Sequence, residues 1–161
     1  MSAQRKAGVM PTTGAKTQSS GFSAQERAAM KARAAELRAE GRKGAKKADQ
    51  LQAALDAIAN MAPEDRALAE RVHAAVTAAA PQLSPKTWYG MPAYATEEGK
   101  VVIYFRDAGK FGERYSNLGF QDIANLDDGD MWPIMFALQK WSPIVEKKVV
   151  LLVKAALSRE R

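Results

Sequence analysis

Three aromatic side chains, a glycine and a proline lie within the stretch Trp88-Tyr89-Gly90-Met91-Pro92-Ala93-Tyr94. Aromatic side chains at this density either pack in a core or line a site that binds a ligand. Together with nearby basic side chains they predict a cleft for a small ligand, which a charge would orient if the ligand is an anion. The alternative is core packing, because alternate residues of a strand point to opposite faces of a sheet. The candidate residues are Trp88, Tyr89, Met91, Tyr94, Arg106, Arg114 and Tyr115.

Four aspartates within residues 122–130 are a second candidate, for a site that binds a hard metal cation through carboxylate oxygens. Their spacing does not fit a calcium-binding EF-hand loop, because a loop that begins at Asn125 would place Phe136 where the final glutamate is required. Aspartate and glycine also favour turns, so the alternative is a solvated loop between strands. The candidate ligands are Asp122, Asp127, Asp128 and Asp130.

The positive charge of the chain is concentrated near its N-terminus. The formal net charge is +6, and residues 1–50 hold eleven Lys and Arg against four Asp and Glu, which leaves a net charge of −1 for residues 51–161. A cationic arm attracts polyanions, which predicts non-specific binding of nucleic acid. The alternative is a solvated segment, because Phe22 is the single aromatic there that could stack on a base. The candidate contacts are Lys31, Arg38, Arg42, Lys43, Lys46 and Lys47.

No pattern typical of a catalytic site occurs in the sequence. The absence of cysteine excludes disulfides, thiolate metal sites and thiol catalysis. The single histidine, His73, has neither cysteine nor a close pair of acids beside it, so we expect a residue at the boundary of the core. The glycine patterns of serine hydrolases, P-loops and dinucleotide-binding folds are absent as well. The sequence therefore favours a binding protein over an enzyme and indicates no certain cofactor.

The sequence also predicts a cellular compartment. No apolar run approaches the ~20 residues that a membrane-spanning helix needs, and no apolar stretch follows Arg5 and Lys6 as in a secretory signal. The lack of cysteine is consistent with a reducing environment. We therefore expect a cytoplasmic protein without a membrane partner.

The chain divides into two predicted regions. Residues 1–50 form a basic arm, disordered over residues 1–21 and helical over about 23–40. The helix begins at Ser23, where Ser23 and Glu26 form a capping box, and ends at Gly41. Residues 51–161 form the second region, which is long enough to bury a core without a disulfide or metal.

The second region is predicted to place a block of strands between helices. Apolar spacing predicts helices from Asp49 to Asn60, from Pro63 to Pro81 and from Ser142 onward. Strand-forming residues bounded by turn residues predict extended segments over 87–96, 100–106, 111–120 and 131–138. In the last of these apolar residues alternate, and Pro133 suggests a sheet edge. Short turns favour antiparallel pairing. The predicted fold is α+β: an antiparallel sheet of about four to five strands, covered on one face by helices from before and after it, with a separate N-terminal helical arm.

These residues resemble the YdhG-like family of small bacterial proteins, most of them of unknown function, and in particular an actinobacterial-type branch. The resemblance covers roughly residues 52–158. It rests on Trp88–Tyr94 followed by the 101–105 strand, and on Leu83–Trp88, Asn125–Gly129, Met131–Pro133 and Phe136–Leu138. It implies an α+β fold with an antiparallel sheet flanked by helices. Some relatives are described as frataxin-like iron chaperones, which implies iron as a bound metal.

The sequence and the resemblance lead to one leading expectation and one alternative. The leading expectation is a non-enzymatic cytoplasmic protein that binds a small ligand or a metal ion at one face of its sheet. The alternative is a nucleic-acid-associated protein that acts through the basic arm.

Overall fold

Local capping signals determine where three of the helices begin. In the computed structural model, which describes residues 21–41 and 47–159, the Ser23 hydroxyl accepts from the Glu26 amide at 3.1 Å and the Glu26 carboxylate accepts from the Ser23 amide at 3.3 Å. Proline occupies the first turn of two further helices. The helices are α1 (Ala24–Glu40), α2 (Lys47–Ala59), α3 (Pro63–Ala79), α4 (Ala108–Phe111) and α5 (Pro143–Ala156).

Five strands form one antiparallel sheet in which neighbours in sequence are neighbours in space. They are β1 (Ser84–Trp88), β2 (Met91–Ala95), β3 (Val101–Arg106), β4 (Ser116–Phe120) and β5 (Met135–Leu138). Short connections between successive strands allow this order without a crossover. The structure confirms the predicted α+β class and the antiparallel sheet of about four to five strands.

The segment predicted as one extended stretch, 87–96, is a tight hairpin. Trp88 pairs with Met91, so only Tyr89 and Gly90 connect β1 to β2. Both have positive φ, 52° and 76°, which is the backbone of a type I′ turn. The sequence analysis missed β1 because Pro85 interrupts it and because Tyr-Gly is not the Asn-Gly or Asp-Gly pair that usually signals this turn.

Two other predicted strands are shorter in the structure. Residues 108–111 form the short helix α4, which ends at Gly112 with φ 64°, and β4 begins only at Ser116. β5 begins at Met135 rather than at Met131. Its place at the end of the sheet confirms the edge position predicted from Pro133.

The main core lies between one face of the sheet and the helices α2, α3 and α5. From the sheet it takes residues at alternate positions, among them Tyr94, Ile103, Phe105, Leu118 and Phe120, each at most 2% exposed. The helices contribute apolar residues at three- and four-residue spacing, including Leu68, Val72, Val76, Val149 and Val153. Helices from before and after the strands therefore pack on the same face, as predicted.

The opposite face of the sheet carries a smaller cluster formed by Met91, Ala93 and Tyr104, with Trp88 and Tyr89 packed against it. Helix α1 lies beside this cluster and contacts β1 and α4. The sequence analysis placed α1 in a separate arm and did not anticipate this contact.

Disorder was predicted for residues 1–21, of which 1–20 lie outside the described residues. Among the described helices, none combines the length and apolarity needed to cross a membrane.

Candidate ligand-binding site

The strand register places three large side chains on the face toward α1. Trp88 pairs with Met91, and Ala93 pairs with Tyr104, so these residues share one side of the pleat. Across β3, Gly119 lies opposite Tyr104. A methyl group at Gly119 would overlap the Tyr104 ring, so the ring lies over a position that glycine keeps open.

The hairpin turn is held by polar groups from two helices. The two Glu36 carboxylate oxygens of α1 accept from the Tyr89 and Gly90 amides, both at 2.9 Å. From α4, the Lys110 ammonium donates to the Gly90 carbonyl at 3.2 Å. Charge-assisted bonds of this kind are stronger than neutral ones. They fix α1 over the aromatic face although the helix buries a single residue there, Ala29.

A second polar contact joins the C-terminal half of α1 to β1. The Lys86 ammonium, on a side chain only 7% exposed, pairs with the Glu40 carboxylate. The Arg33 guanidinium lies 3.6 Å from the same carboxylate and 3.5 Å from Glu36. The acidic side chains Glu36 and Glu40 of α1 thus face the sheet, where backbone amides and a buried ammonium compensate their charge.

Between α1, the hairpin, β3 and α4 lies a pocket with a volume of about 420 Å³. Binding sites for small molecules typically fall in this size range and are lined mainly by apolar and aromatic groups with a few polar ones. This pocket fits that description. Its lining residues are Phe22, Glu26, Ala29, Met30, Trp88, Tyr89, Met91, Tyr104, Arg106 and Phe111.

The aromatic rings of the pocket contact one another at angles that aromatic pairs prefer. The Trp88 and Tyr89 rings are 4.9 Å apart between centroids and nearly perpendicular, at 88°. Trp88 and Tyr104 are 5.3 Å apart and tilted by 55°. Edge-to-face packing of this type adds stability beyond the buried area. The rings therefore hold each other in place along one wall of the pocket.

The one arginine of the pocket is already paired. Arg106 donates to the Glu113 carboxylate from Nε at 3.0 Å and lies 2.7 Å from it through a terminal nitrogen. Its guanidinium carbon lies 4.0 Å from the centre of the Phe111 ring. Because Glu113 compensates this charge, a small anion would have to compete with a carboxylate for Arg106. This weakens the expectation that a charge orients an anionic ligand.

Burial of Tyr104 raises the pKa of its hydroxyl; nearby Arg106 opposes this rise and Glu113 adds to it. The hydroxyl therefore keeps its proton at neutral pH and can donate a hydrogen bond. Glu26, whose carboxylate also accepts from the Ser23 amide, is the one acid among the lining residues of the pocket.

The structure brings together four of the seven predicted ligand-binding residues: Trp88, Tyr89, Met91 and Arg106 all line the pocket. Tyr94 points to the other face of the sheet, where it is 1% exposed and its hydroxyl lies 3.0 Å from His73 Nδ1. Because side chains alternate along a strand, Tyr94 and Trp88 lie on opposite faces of the sheet. Tyr94 therefore follows the alternative given in the sequence analysis, which was core packing.

Arg114 and Tyr115 do not line the pocket either. Both are exposed, and the Arg114 guanidinium lies 5.2 Å from the Tyr115 ring centre. They belong to the connection between α4 and β4, which the sequence analysis took as part of a strand. Their position outside a regular strand means that strand alternation does not place them beside Arg106.

The sequence analysis missed the part of the pocket that α1 and α4 supply: Phe22, Glu26, Ala29, Met30 and Phe111. No local signal points to them, because their role depends on a contact between residues more than fifty positions apart. Phe22, just before the N-cap of α1, and Met30 on the helix are exposed apolar side chains there.

On the core face of the sheet, the half-buried His73 contacts the fully buried Tyr94. Burial lowers the pKa of His73 and raises that of Tyr94. The imidazole is therefore neutral at physiological pH, and its Nδ1 shares one hydrogen bond with the phenol. The position at the boundary of the core matches the expectation for this histidine.

The predicted metal ligands are not gathered into a site. Asp122, Asp127, Asp128 and Asp130 are all exposed. In the ranges 21–41 and 47–159, no three Asp, Glu, His or Cys side chains lie close enough together to hold a metal ion. A hard cation such as iron needs several converging oxygen ligands, so the residues described do not fit the iron site that the family resemblance implies.

Three of the six predicted nucleic-acid contacts lie within the described residues. Lys31 and Arg38 are exposed on α1, and Lys47 is exposed at the start of α2, 3.9 Å from Glu97. Arg42, Lys43 and Lys46 lie outside the described residues.

Comparison of the chain with protein-family models, with curated proteins and with solved structures found no significant match.

Proposed function

We propose that the protein binds a small planar molecule in the pocket between α1 and the sheet. The observation that carries this proposal is the pocket itself, about 420 Å³ in volume and lined by five aromatic rings. A monomeric protein rarely leaves such an apolar concavity without a use. The polar contacts of Glu36 and Lys110 with the hairpin support it further, because they hold the walls in place before a ligand arrives.

The chemistry of the lining favours an uncharged aromatic ring over a phosphate or carboxylate. Trp88, Tyr89 and Tyr104 offer ring faces and edges for stacking. Arg106 is already bound to Glu113, and Glu26 would repel an anion. The Tyr104 hydroxyl and the Glu26 carboxylate can each bond one polar atom of the ring.

Fluorescence titration of the full chain tests the proposal. The chain has three tryptophans, and replacing Trp132 and Trp141 with phenylalanine leaves Trp88 as the reporter. We expect indole or a purine base to quench Trp88 in a saturable way and to raise the midpoint of thermal unfolding, because a ligand that favours the folded state stabilises it. Inorganic phosphate and Fe(II) serve as the anionic and metal probes.

Two neighbouring alanines on α1 provide a matched pair of variants. Ala29 is buried and lines the pocket, whereas Ala28 is exposed. Ala29→Phe should fill the pocket and weaken indole binding at least about tenfold, as loss of a small ligand's buried area predicts. Ala28→Phe should leave it unchanged. Quenching that is equal in both variants, or absent with every aromatic probe, would contradict the proposal.

The family assignment remains a proposal. The resemblance of Trp88–Tyr94 and the strands that follow supports a YdhG-like protein, and that segment supplies one wall of the pocket. The iron role attributed to some relatives is not proposed here, since the described carboxylates do not converge. The lack of cysteine supports the cytoplasm as the compartment.

One observation favours nucleic-acid binding as a second candidate function. Arg27, Lys31 and Arg38 recur at spacings of four and seven and are all exposed, so they share the face of α1 opposite Ala29. The acids Glu36 and Glu40 face inward. The outward face of α1 is therefore a basic stripe suited to phosphates.

Fluorescence anisotropy with a labelled single-stranded DNA oligonucleotide tests this second candidate. Counterion release predicts that affinity falls steeply as salt rises. Lys31→Glu with Arg38→Glu should weaken binding, whereas Lys100→Glu with Arg71→Glu, a double reversal of equal charge at exposed positions outside α1, should have little effect. Affinity that does not change with salt, or that falls equally in both variants, would argue against a role for α1.

A further inference from the structure

The two edges of the sheet differ in what lies beside them. β1, at one edge, packs against α2 and α1. β5, at the other edge, pairs with β4, and among the described residues no strand pairs with its outer side. An exposed edge strand offers unpaired backbone donors and acceptors to another strand.

The hydrogen-bond pattern identifies which residues of β5 face outward. The Phe120 amide donates to the Ile134 carbonyl at 2.8 Å, and hydrogen-bonded pairs alternate along an antiparallel ladder. Phe136 and Leu138 therefore bond to β4, opposite Leu118 and Ser116. The amide and carbonyl groups of Met135 and Ala137 point away from the sheet.

Exposed apolar side chains occur on β5 and on the segments that flank it in sequence. Met131 is 90% exposed, Ile134 50% and Met135 51%, and Ile144 at the start of α5 is 77% exposed. Large apolar side chains that are exposed together next to an unpaired strand are the features of an interaction surface.

The charges on either side of β5 have opposite signs. Asp127, Asp128 and Asp130 precede the strand, and Lys140, Lys147 and Lys148 follow it, with Glu146 as the one acid among them; all are exposed. If two copies of β5 run antiparallel, the acidic end of each meets the basic end of the other. This surface is therefore complementary to itself, which is what a two-fold interface requires.

We propose that β5 is a dimerisation edge, which pairs antiparallel with β5 of a second copy of this chain to form one continuous sheet. In the register that uses strand residues alone, Met135 exchanges both backbone bonds with Ala137 of the second copy, and the two-fold axis passes beside Phe136. Pro133, the next outward position, has no amide hydrogen and ends the ladder. The pairing covers Ile134 and Phe136 on one face and Met135 on the other.

Sedimentation of the full chain tests the proposal. The monomer mass is 17.5 kDa, and we expect a dimer of twice that mass at micromolar concentration. Ala137→Pro removes an outward amide without touching the bonds to β4, and should raise the dimer dissociation constant at least about tenfold, because symmetry removes the bond from both copies. Ala137→Val keeps the amide and should leave the dimer intact. Circular dichroism checks that both variants are folded.

A charge swap tests the interface without changing the backbone. Lys140→Glu and Asp130→Lys should each raise the dissociation constant about fivefold, and the two changes combined in one chain should restore it. High salt should weaken the wild-type dimer and the double variant alike. A chain that stays monomeric at high micromolar concentration would overturn the proposal. So would a dimer that is insensitive to Ala137→Pro and to both charge reversals.

Discussion

At the scale of single residues, Glu36 makes the contact that most affects the candidate site. Its carboxylate accepts from the Tyr89 and Gly90 amides at 2.9 Å, across more than fifty residues of sequence. The side chain is only 11% exposed, so little solvent screens these bonds. The two amides of the turn therefore donate to a carboxylate rather than to water.

We predict that Glu36→Gln lowers the free energy of unfolding by about 1–3 kcal/mol, because one neutral amide oxygen replaces two charged oxygens that accept from two part-buried amides. Urea denaturation measures the change. Glu70→Gln is the matched control, since Glu70 pairs with Arg66 at 2.8 Å while both side chains are about half exposed, and it should cost less than about 0.5 kcal/mol. Equal losses in the two variants would show that Glu36 is an ordinary surface acid.

Asp107 is a buried acid whose charge is poorly compensated. It is 3% exposed, and among the described residues its Oδ1 has no hydrogen-bond partner. Burial raises the pKa of Asp107 above its usual value of 3.8; backbone hydrogen bonds and the charge of Lys110 oppose this rise, and the charge of Asp65 adds to it. A raised folded-state pKa means that the native state holds the proton more tightly, so stability is lost as the pH rises through that value.

Asp107→Asn should therefore stabilise the protein at pH 7. The gain should shrink as the pH falls through the raised pKa toward 3.8, where the wild-type carboxyl is protonated in both states. Thermal unfolding between pH 3.5 and pH 7.5 measures this. Asp122→Asn, at an exposed position, is the control and should show no such trend. A gain that is constant over the whole pH range would contradict the explanation.

At the scale of elements, α1 depends on its own capping more than on burial. Ala29 is its one buried residue, and Met30 and Leu37 are 38% and 53% exposed. Apolar packing therefore contributes little to the stability of α1. The capping box of Ser23 and Glu26 and the polar contacts of Glu36 and Glu40 contribute most. Elements held in this way open locally more often than elements in a core.

We predict that Ser23→Ala destabilises α1 by about 1 kcal/mol, since the hydroxyl no longer caps the Glu26 amide. The loss should be seen as faster amide hydrogen exchange along α1, with little change in α3 or in β3. Ser142→Ala, which removes the cap of α5, should instead lower global stability, because α5 contributes to the main core. Exchange that accelerates everywhere in Ser23→Ala would show that α1 unfolds together with the rest.

At the scale of the whole molecule, the two faces of the sheet differ in how much apolar surface they bury. The face beneath α2, α3 and α5 buries nearly all of the large apolar side chains. The face beneath α1 holds a small aromatic cluster beside a pocket. The main core and the proposed binding pocket thus lie on opposite sides of the same five strands.

Paired truncations should reveal this asymmetry. Ile103→Ala removes a fully buried side chain on the core face and should cost about 2–5 kcal/mol. Met30→Ala removes a side chain that is 38% exposed at the pocket and should cost less than about 1 kcal/mol. Chemical denaturation measures both. Similar costs would mean that the α1 face contributes a second core.

The sequence predicted what local signals encode. Ser23 and Glu26 indicated the start of α1, Ser142 and Pro143 the start of α5, and the run of β-branched and aromatic residues over 101–105 indicated β3. Trp88, Tyr89, Met91 and Arg106 were chosen for their residue types, and they do line the pocket. Tyr94, Arg114 and Tyr115 were chosen on the same grounds but lie elsewhere, since residue type does not reveal which face a side chain occupies.

By itself, the sequence determined the starts of α1, α3 and α5, the antiparallel α+β class and the presence of an aromatic segment, because capping, periodicity and turn residues act over a few positions. The tertiary structure alone decided that the Tyr89-Gly90 turn reverses the chain within that segment and that Glu36 meets its amides. These are contacts between residues far apart in the chain, and their pairing depends on the shape of the folded sheet. The pocket exists only where those distant surfaces meet.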